Sequence, residues 1–386
     1  IPAPPAAVAT LKHVALFTRH GDRTKATSNV CWPNDDVVVN CSLAQWQQLS
    51  YADALPAQPP ALSYRFQFEP NHESIRGSCG VGQLTTKGAM QEAENGRAVA
   101  DAYLKQAGMD VKPEDVFVRS DNYQRTIMSA QALINALLNG TTTPYPLPLY
   151  TRDVRRCRVR DVHCTDADTE TITPNGAVCP AVTDVYYAFA KSPQYAKLLN
   201  DSKPLFKRLS DAIGQQYTDT SSVGLLFDCY FAHACHDLAV PAALANNQSL
   251  VDALVASVEA FANELQSFNN SAFSRAGAAP LFKALLSDMG DVVAGRPAPK
   301  VTLMSGHDTG PIQPILYSLG VADGKWPPYA SRISIELWKM MADGTWAVRM
   351  EYNGKVLQPA GCPSALCPWG TFRSLLSAIV PICPDE

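Results

Sequence analysis

The stretch His13-Val-Ala-Leu-Phe-Thr-Arg19-His20-Gly21-Asp22-Arg23-Thr24 decides how the chain is read. Its first half is a continuous apolar run, the pattern of a strand buried on both faces. Its second half turns abruptly to cations, an imidazole and a glycine. In open α/β sheets ligands lie beyond the carboxyl ends of the strands, so this ending puts charge where such folds bind. Two further stretches repeat the arrangement. Asp115-Val-Phe-Val118 reads as a strand and ends in Arg119-Ser120-Asp121, and Lys300-Val-Thr-Leu-Met304 ends in Ser305-Gly306-His307-Asp308-Thr309. If the three strands are neighbours, Arg19, Arg23 and Arg119 gather with His20 and His307 in one crevice.

Such a crevice suits a small dianion, because the guanidinium fork matches the oxygens of a phosphate. Guanidinium groups also stabilise the charge on a phosphoryl group in transit. Gly21 and Gly306 let the backbone approach closely. The sequence has no Gly-x-x-x-x-Gly-Lys-Ser/Thr loop and no Gly-x-Ser-x-Gly elbow, so the usual nucleotide cradle and serine nucleophile are missing. A neutral imidazole can attack phosphorus itself. His20 is the candidate nucleophile, because Arg19 and Arg23 favour its neutral form at acidic pH. Asp308 is the candidate acid that protonates the leaving alkoxide. An acid that must carry a proton predicts an acidic optimum.

Around these strands the pattern is mostly helical. Thr86 to Gln106 reads as a helix with Met90, Ala93, Ala100, Tyr103 and Leu104 inward. A second helix places Tyr123, Ile127, Ala130, Ile134, Leu137 and Leu138 on one face, with Ser120 or Asp121 available as N-cap,. Residues 183 to 293 are rich in helical periodicity, most clearly from Leu250 to Phe268. Ser331 to Trp338 and Trp346 to Tyr352 alternate with period two across an Ala-Asp-Gly-Thr turn, which reads as a hairpin,. The sum is an α/β sheet domain plus a mostly helical part.

Composition narrows the class. The 386 residues are 46% hydrophobic and 18% charged, ordinary for a globular protein,. With 32 Lys and Arg against 36 Asp and Glu the net charge is −4, which argues against nucleic acid as the main partner,. No apolar run approaches the roughly 18 residues that span a bilayer; Leu375 to Cys383 is the longest late candidate. Membrane attachment would need a removed C-terminal tail. The start, Ile1-Pro-Ala-Pro-Pro5, reads as a processed or trimmed end,. There are 11 cysteines and no Cys-x-x-Cys pair, so disulfides in an oxidising compartment fit better than metal ligands,. An odd count leaves at least one thiol free or joined to another chain. Asn-x-Ser/Thr sequons occur at Asn40, Asn139, Asn200, Asn247 and Asn269. Together these features predict a secreted or lumenal glycoprotein.

Arg19-His20-Gly21-x-Arg23 with the distant His307-Asp308 resembles the histidine acid phosphatase branch of the histidine phosphatase superfamily. The likeness extends to Gly82-Gln83-Leu84-Thr85-x-x-Gly88-x-x-Gln91 and to Val118-Arg119-Ser120 through Arg125-Thr126 and Met128-Ser129-Ala130. It continues, more weakly, in Phe227-Asp228, His236 and Pro241, and then in Gly361-Cys362, Cys367-Pro368 and Phe372. The resemblance implies His20 as nucleophile, Asp308 as proton donor, and Arg19, Arg23, Arg119 and His307 as phosphate ligands. It implies no metal or organic cofactor, small phosphomonoesters as substrates, and disulfides Cys362–Cys367 and Cys179–Cys383. It also implies a central mixed sheet flanked by helices beneath a smaller, mostly helical cap. The core is then expected over 1–155 and 296–386, with an excursion near 26–83, and the cap over 156–295. Some relatives form a homodimer, a state this sequence leaves open. Thr24 departs from the family, where many relatives have proline, and puts the rigidity of that loop in question.

Other polar residues have plainer readings. His13 reads as a buried, hydrogen-bonded strand residue; His72, His163 and His233 as surface or loop residues; His236 as either pocket or cap support. Asp22 reads equally as a substrate contact and as an ion pair with a neighbouring arginine. Among functions, a phytase, a lysophospholipid or sugar-phosphate phosphatase, a phosphomutase and a non-catalytic ectodomain stand beside a broad acid phosphatase. The last two are disfavoured, by the paired His20 and Asp308 and by the long helical insertion.

Overall fold

The three strands with charged ends lie side by side. A computed structural model describes residues 8–41, 75–138, 147–152 and 169–383. Its strands form one mixed sheet. β1 (Ala9–Arg19), β2 (Val116–Ser120), β3 (Leu149–Tyr150) and β4 (Val301–Gly306) run parallel in the order β3-β2-β4-β1. β5 (Arg332–Met340), β6 (Trp346–Tyr352) and β7 (Lys355–Leu357) continue it antiparallel beyond β1, and β8 (Leu366–Pro368) pairs with β6. Ser305 lies opposite Thr18 on one side and Ser120 on the other, so the strands β1, β2 and β4 end level with one another. The expected hairpin is β5–β6, with Ile335 opposite Met350.

The sheet is covered on both faces, which is why its central strands read as apolar runs. Two-residue alternation separates the faces. Ala15, Phe17, Met304 and Ile335 contribute to one core cluster, and Val14, Leu16, Leu303 and Val118 to the other. The second cluster is closed by α1 (Thr86–Val99), its continuation as a π-helical turn over Ala100–Gln106, and α2 (Gln124–Leu137). Tyr103, Ala100 and Leu104 face this core as expected, but the phase of α1 before them differs. Met90 is 58% exposed, and the inward residues are Gly88, Ala89, Glu92, Gly96 and Val99. Gly96 sets this phase, since a Cβ there would lie 2.1 Å from the Leu133 carbonyl oxygen of α2. The first turn of α2 also differs: Tyr123 occupies the cap position with no side-chain cap, because Asp121 is engaged elsewhere.

The helical stretch comprises α3 (Pro180–Ala190), α4 (Pro193–Ile213), α5 (Thr220–Ala234), α6 (Ala242–Ala245) and α7 (Gln248–Val293). Residues of α4, α5 and the first part of α7, such as Leu209, Leu226 and Leu254, form a separate core with Cys31 and Trp32. At Phe268–Ser271 the α7 backbone leaves helical geometry, with left-handed φ at Asn269, Asn270 and Ser271. Beyond that break Ala278, Leu281, Phe282, Leu285 and Met289 pack on the sheet, joined by α8 (Ile312–Ser318) and α9 (Trp369–Ser377).

Disulfides join Cys31–Cys229, Cys41–Cys79, Cys179–Cys383 and Cys362–Cys367, while Cys235 carries a free thiol. Both pairs implied by the resemblance are therefore formed. Asn40, Asn200, Asn247 and Asn269 are exposed; Asn139, His72 and His163 lie outside the described residues. No helix among the described residues is long and apolar enough to cross a membrane.

Candidate active site

The ends of β1 and β4 place His20 and His307 with ring centroids 5.3 Å apart, at the floor of an open cleft of about 270 Å³. The loop bearing His20 is braced from below. Gly21 meets Gly88 backbone to backbone; a Cβ at Gly21 would lie 2.2 Å from the Gly88 carbonyl oxygen. Thr85 caps α1 through Gly88 N–H and donates to Asp22 Oδ1, and Gln91 Oε1 accepts from Asp22 N–H at 2.8 Å. The Gly82 to Gln91 segment thus acts as a clamp on the loop after β1. Thr24, where rigidity was in question, is buried; its hydroxyl donates to the Gly80 carbonyl and accepts from Gln83 N–H.

His20 Nδ1–H donates to the Gly21 carbonyl at 2.7 Å, and a carbonyl can only accept,. The proton is therefore on Nδ1, and Nε2 keeps its lone pair. Burial, then His307, Arg125, Arg19 and Arg23, hold the His20 imidazole well below its ordinary pKa, which favours its neutral form,. His307 Nε2–H donates to Asp121 Oδ2 at 2.9 Å, and burial is the chief cause of its lowered pKa.

The cations differ in what already occupies them. Arg19 pairs with Asp308 at 2.9 Å, donates to the Pro327 carbonyl and stacks on Tyr329. Arg23 pairs with Asp228 at 2.8 Å. Arg125, on the first turn of α2, lines the cleft above the Tyr123 ring, and among the described residues it has no hydrogen-bond partner. Burial and Arg23 push its guanidinium down to about 10. Arg119 lies elsewhere. It is committed to Glu170 at 2.6 Å and to the Thr171 hydroxyl at 2.7 Å; like Arg19 it is outside the cleft lining, but its partners, unlike Asp308 beside Arg19, are not cleft residues.

Asp308 accepts from Thr309 N–H and from Trp326 Nε1–H at 3.0 Å. Burial would raise its pKa, but Arg19, His307 and Arg23 outweigh it and hold the empty-site carboxyl below the ordinary range. Asp22 pairs with neither arginine: His236 Nε2 lies 2.5 Å from its Oδ1. His233 is 3% exposed rather than on the surface, because α5 turns it inward to Asp35 Oδ1 at 3.2 Å. Cys31 lies near that pair, yet its sulfur is bound in a disulfide and is no metal ligand. His13 is fully buried, with Nδ1–H donating to the Pro299 carbonyl.

Comparison with known proteins decides the family, since residues 10–353 match the model for the histidine phosphatase superfamily, branch 2. The chain belongs to this superfamily. Its relatives include Counting factor 60 of Dictyostelium discoideum, 26% identical, with 97% of this chain and 88% of that protein aligned. Human lysophosphatidic acid phosphatase type 6 is 25% identical, with 97% and 85% aligned. Hafnia alvei phytase, in its apo form, shares the fold at a TM-score of 0.64 and 16% identity, over the whole of both chains. Within this histidine phosphatase the sequence reading missed Arg125, Asp121, Tyr329 and Trp326. Arg125 stood inside a quoted motif, and its place on the first turn of a cleft-facing helix was the signal available.

Proposed function

We propose that this histidine phosphatase hydrolyses phosphomonoesters at acidic pH through a phosphohistidine formed on His20. The observation that carries the reading is the His20 Nε2 lone pair, fixed by the Gly21 carbonyl and set among guanidinium groups of which Arg125 has no acceptor among the described residues. A phosphate dianion supplies the acceptors that Arg125 lacks and that Arg19 and Arg23 share with carboxylates. Arg19, Arg23 and Arg125 hold its oxygens, and His307, with Nε2–H on Asp121, joins them once the dianion draws a proton onto its Nδ1,. His20 Nε2 then attacks phosphorus; the P–N bond forms, the P–O bond to the alcohol breaks, and Asp308 donates a proton to the leaving oxygen. In the second step Asp308 takes a proton from water, whose oxygen attacks phosphorus; the new P–O bond forms as the P–N bond breaks, the pair returns to His20 Nε2, and inorganic phosphate leaves. Every step uses a group of this chain.

The pH dependence follows from charge. Against the upward pull of burial, Arg19, His307 and Arg23 hold the Asp308 carboxyl below its ordinary range. A bound dianion opposes that field and raises the carboxyl toward protonation. Burial displaces the His20 imidazole downward, which favours its neutral, nucleophilic form. An acidic optimum results. The disulfides and exposed sequons support a secreted or lumenal location,. The helices from α3 to the break in α7 act as the cap over the sheet.

The test is phosphate release from an aryl phosphate between pH 4 and 8, for wild type and His20→Ala. An optimum on the acid side, lost by at least about a thousandfold in the variant, is expected. Substantial turnover by His20→Ala in a clean preparation would remove His20 from this role.

A further inference from the structure

A second, apolar groove of about 200 Å³ adjoins the phosphate cleft, and Thr309 lines both. Among the described residues its apolar walls include Val223 and Gly224 of α5, Val258, Phe261 and Leu265 of α7, and Trp326, and no charged side chain lines it. Gln266 is already paired: its Nε2–H donates to Gln313 Oε1, and its Oε1 accepts from the Ser274 hydroxyl. The remaining polar groups of the lining are the Gln313 amide and the hydroxyls of Thr220, Ser257 and Thr309, so apolar side chains dominate it. Trp326 is fixed at its entrance from both ends, with its backbone N–H on Glu259 Oε1 at 2.9 Å and its indole N–H on Asp308 Oδ2.

Resting on the phosphatase reading above, we infer that this groove receives the leaving alcohol, and that the preferred substrate is a phosphomonoester carrying a linear apolar chain. The direction follows from the chemistry. In-line displacement puts the leaving oxygen opposite His20 Nε2 and within reach of Asp308. The rest of the alcohol must then continue past Asp308, and beyond it lie Thr309 and Trp326. A multiply charged alcohol finds no cation there, whereas each methylene entering the groove leaves water.

The experiment compares kcat/KM for ethyl, butyl, hexyl and octyl phosphate below micelle-forming concentrations, with an aryl phosphate as reference. Burial of a methylene corresponds to about a fourfold gain in kcat/KM. An octyl-to-ethyl ratio of at least about thirty is expected for wild type. Gly224→Leu fills the groove. A Cβ at Gly224 meets nothing within 4 Å, and leucine is the better helix former, so folding is not at risk,. Its octyl-to-ethyl ratio should fall close to one. A flat series in a wild type that turns over the aryl phosphate overturns the groove assignment and leaves the phosphatase reading standing. A ratio unchanged by Gly224→Leu also overturns it. Wild type inactive on every ester, the aryl phosphate included, would instead defeat the phosphatase reading itself.

Discussion

Arg119 and Arg125 follow one another around the end of β2, and their partners separate their roles. Arg119 belongs to a strand, and its guanidinium is spent on the buried Glu170. Arg125 belongs to the helix that begins beyond the strand, and it reaches the cleft with no hydrogen-bond partner among the described residues. Replacing Arg125 by Ala should raise the inhibition constant of inorganic phosphate at least about tenfold, the worth of a charge-assisted bond to a dianion. Arg119→Ala acts differently, because it leaves Glu170 buried without its cation. A loss of about 3 kcal/mol of stability is expected, with a much smaller change in phosphate inhibition. Phosphate inhibition curves and urea unfolding on both variants check this. Equal weakening of phosphate by the two, with unchanged unfolding, would return Arg119 to the pocket.

In α1 a carboxylate takes the place that hydrophobic periodicity gives to an apolar side chain. Glu92 is fully buried between α1 and the sheet, receives one hydrogen bond from Asn95 at 3.1 Å, and is pushed up to about 8 by desolvation. Its folded value lies above the unfolded one, so the folded state binds more protons between roughly pH 4.5 and 8. The contribution to stability is whole below that window and is lost as pH rises through it. Glu92→Gln should be neutral near pH 4.5 and stabilising by about 3 kcal/mol at pH 7,. Denaturant unfolding of both proteins at pH 5 and 7.5 reads this out; identical slopes against pH would mean that Glu92 ionises freely. The buried His13 and His20, displaced downward mainly by burial, work the other way below about pH 6.5,. The misread phase of α1 has the same origin, because a pattern search counts Met90 as core and Glu92 as surface. What reverses them is the close approach to α2 at Gly96.

Across the whole molecule, covalent ties link parts far apart in the chain. Cys31–Cys229 and Cys179–Cys383 span 198 and 204 residues, whereas Cys362–Cys367 spans 5. In the chain-entropy account a loop of the longer kind restrains the unfolded state by about 5 kcal/mol, and the shortest by about 2. Replacing Cys179 and Cys383 together by Ser should therefore lower Tm more than replacing Cys362 and Cys367. Thermal unfolding under non-reducing conditions at fixed pH measures both, and the opposite order would show that local packing, not loop closure, governs these bridges.

The sequence by itself determined the strands, their charged ends and the candidates His20 and Asp308. Those features are local: an apolar run buries itself, and the residues that follow it must sit at the edge of the sheet. It also carried the family resemblance and two of the disulfides. Only the tertiary structure decided which arginine faces the cleft, where Asp121 and Asp22 direct their carboxylates, and that His233 is buried. It alone showed the apolar groove, whose walls come from α5, α7 and the loop bearing Trp326. The physical reason is that side-chain direction and pairing depend on groups distant in sequence, which strand and helix periodicity cannot register.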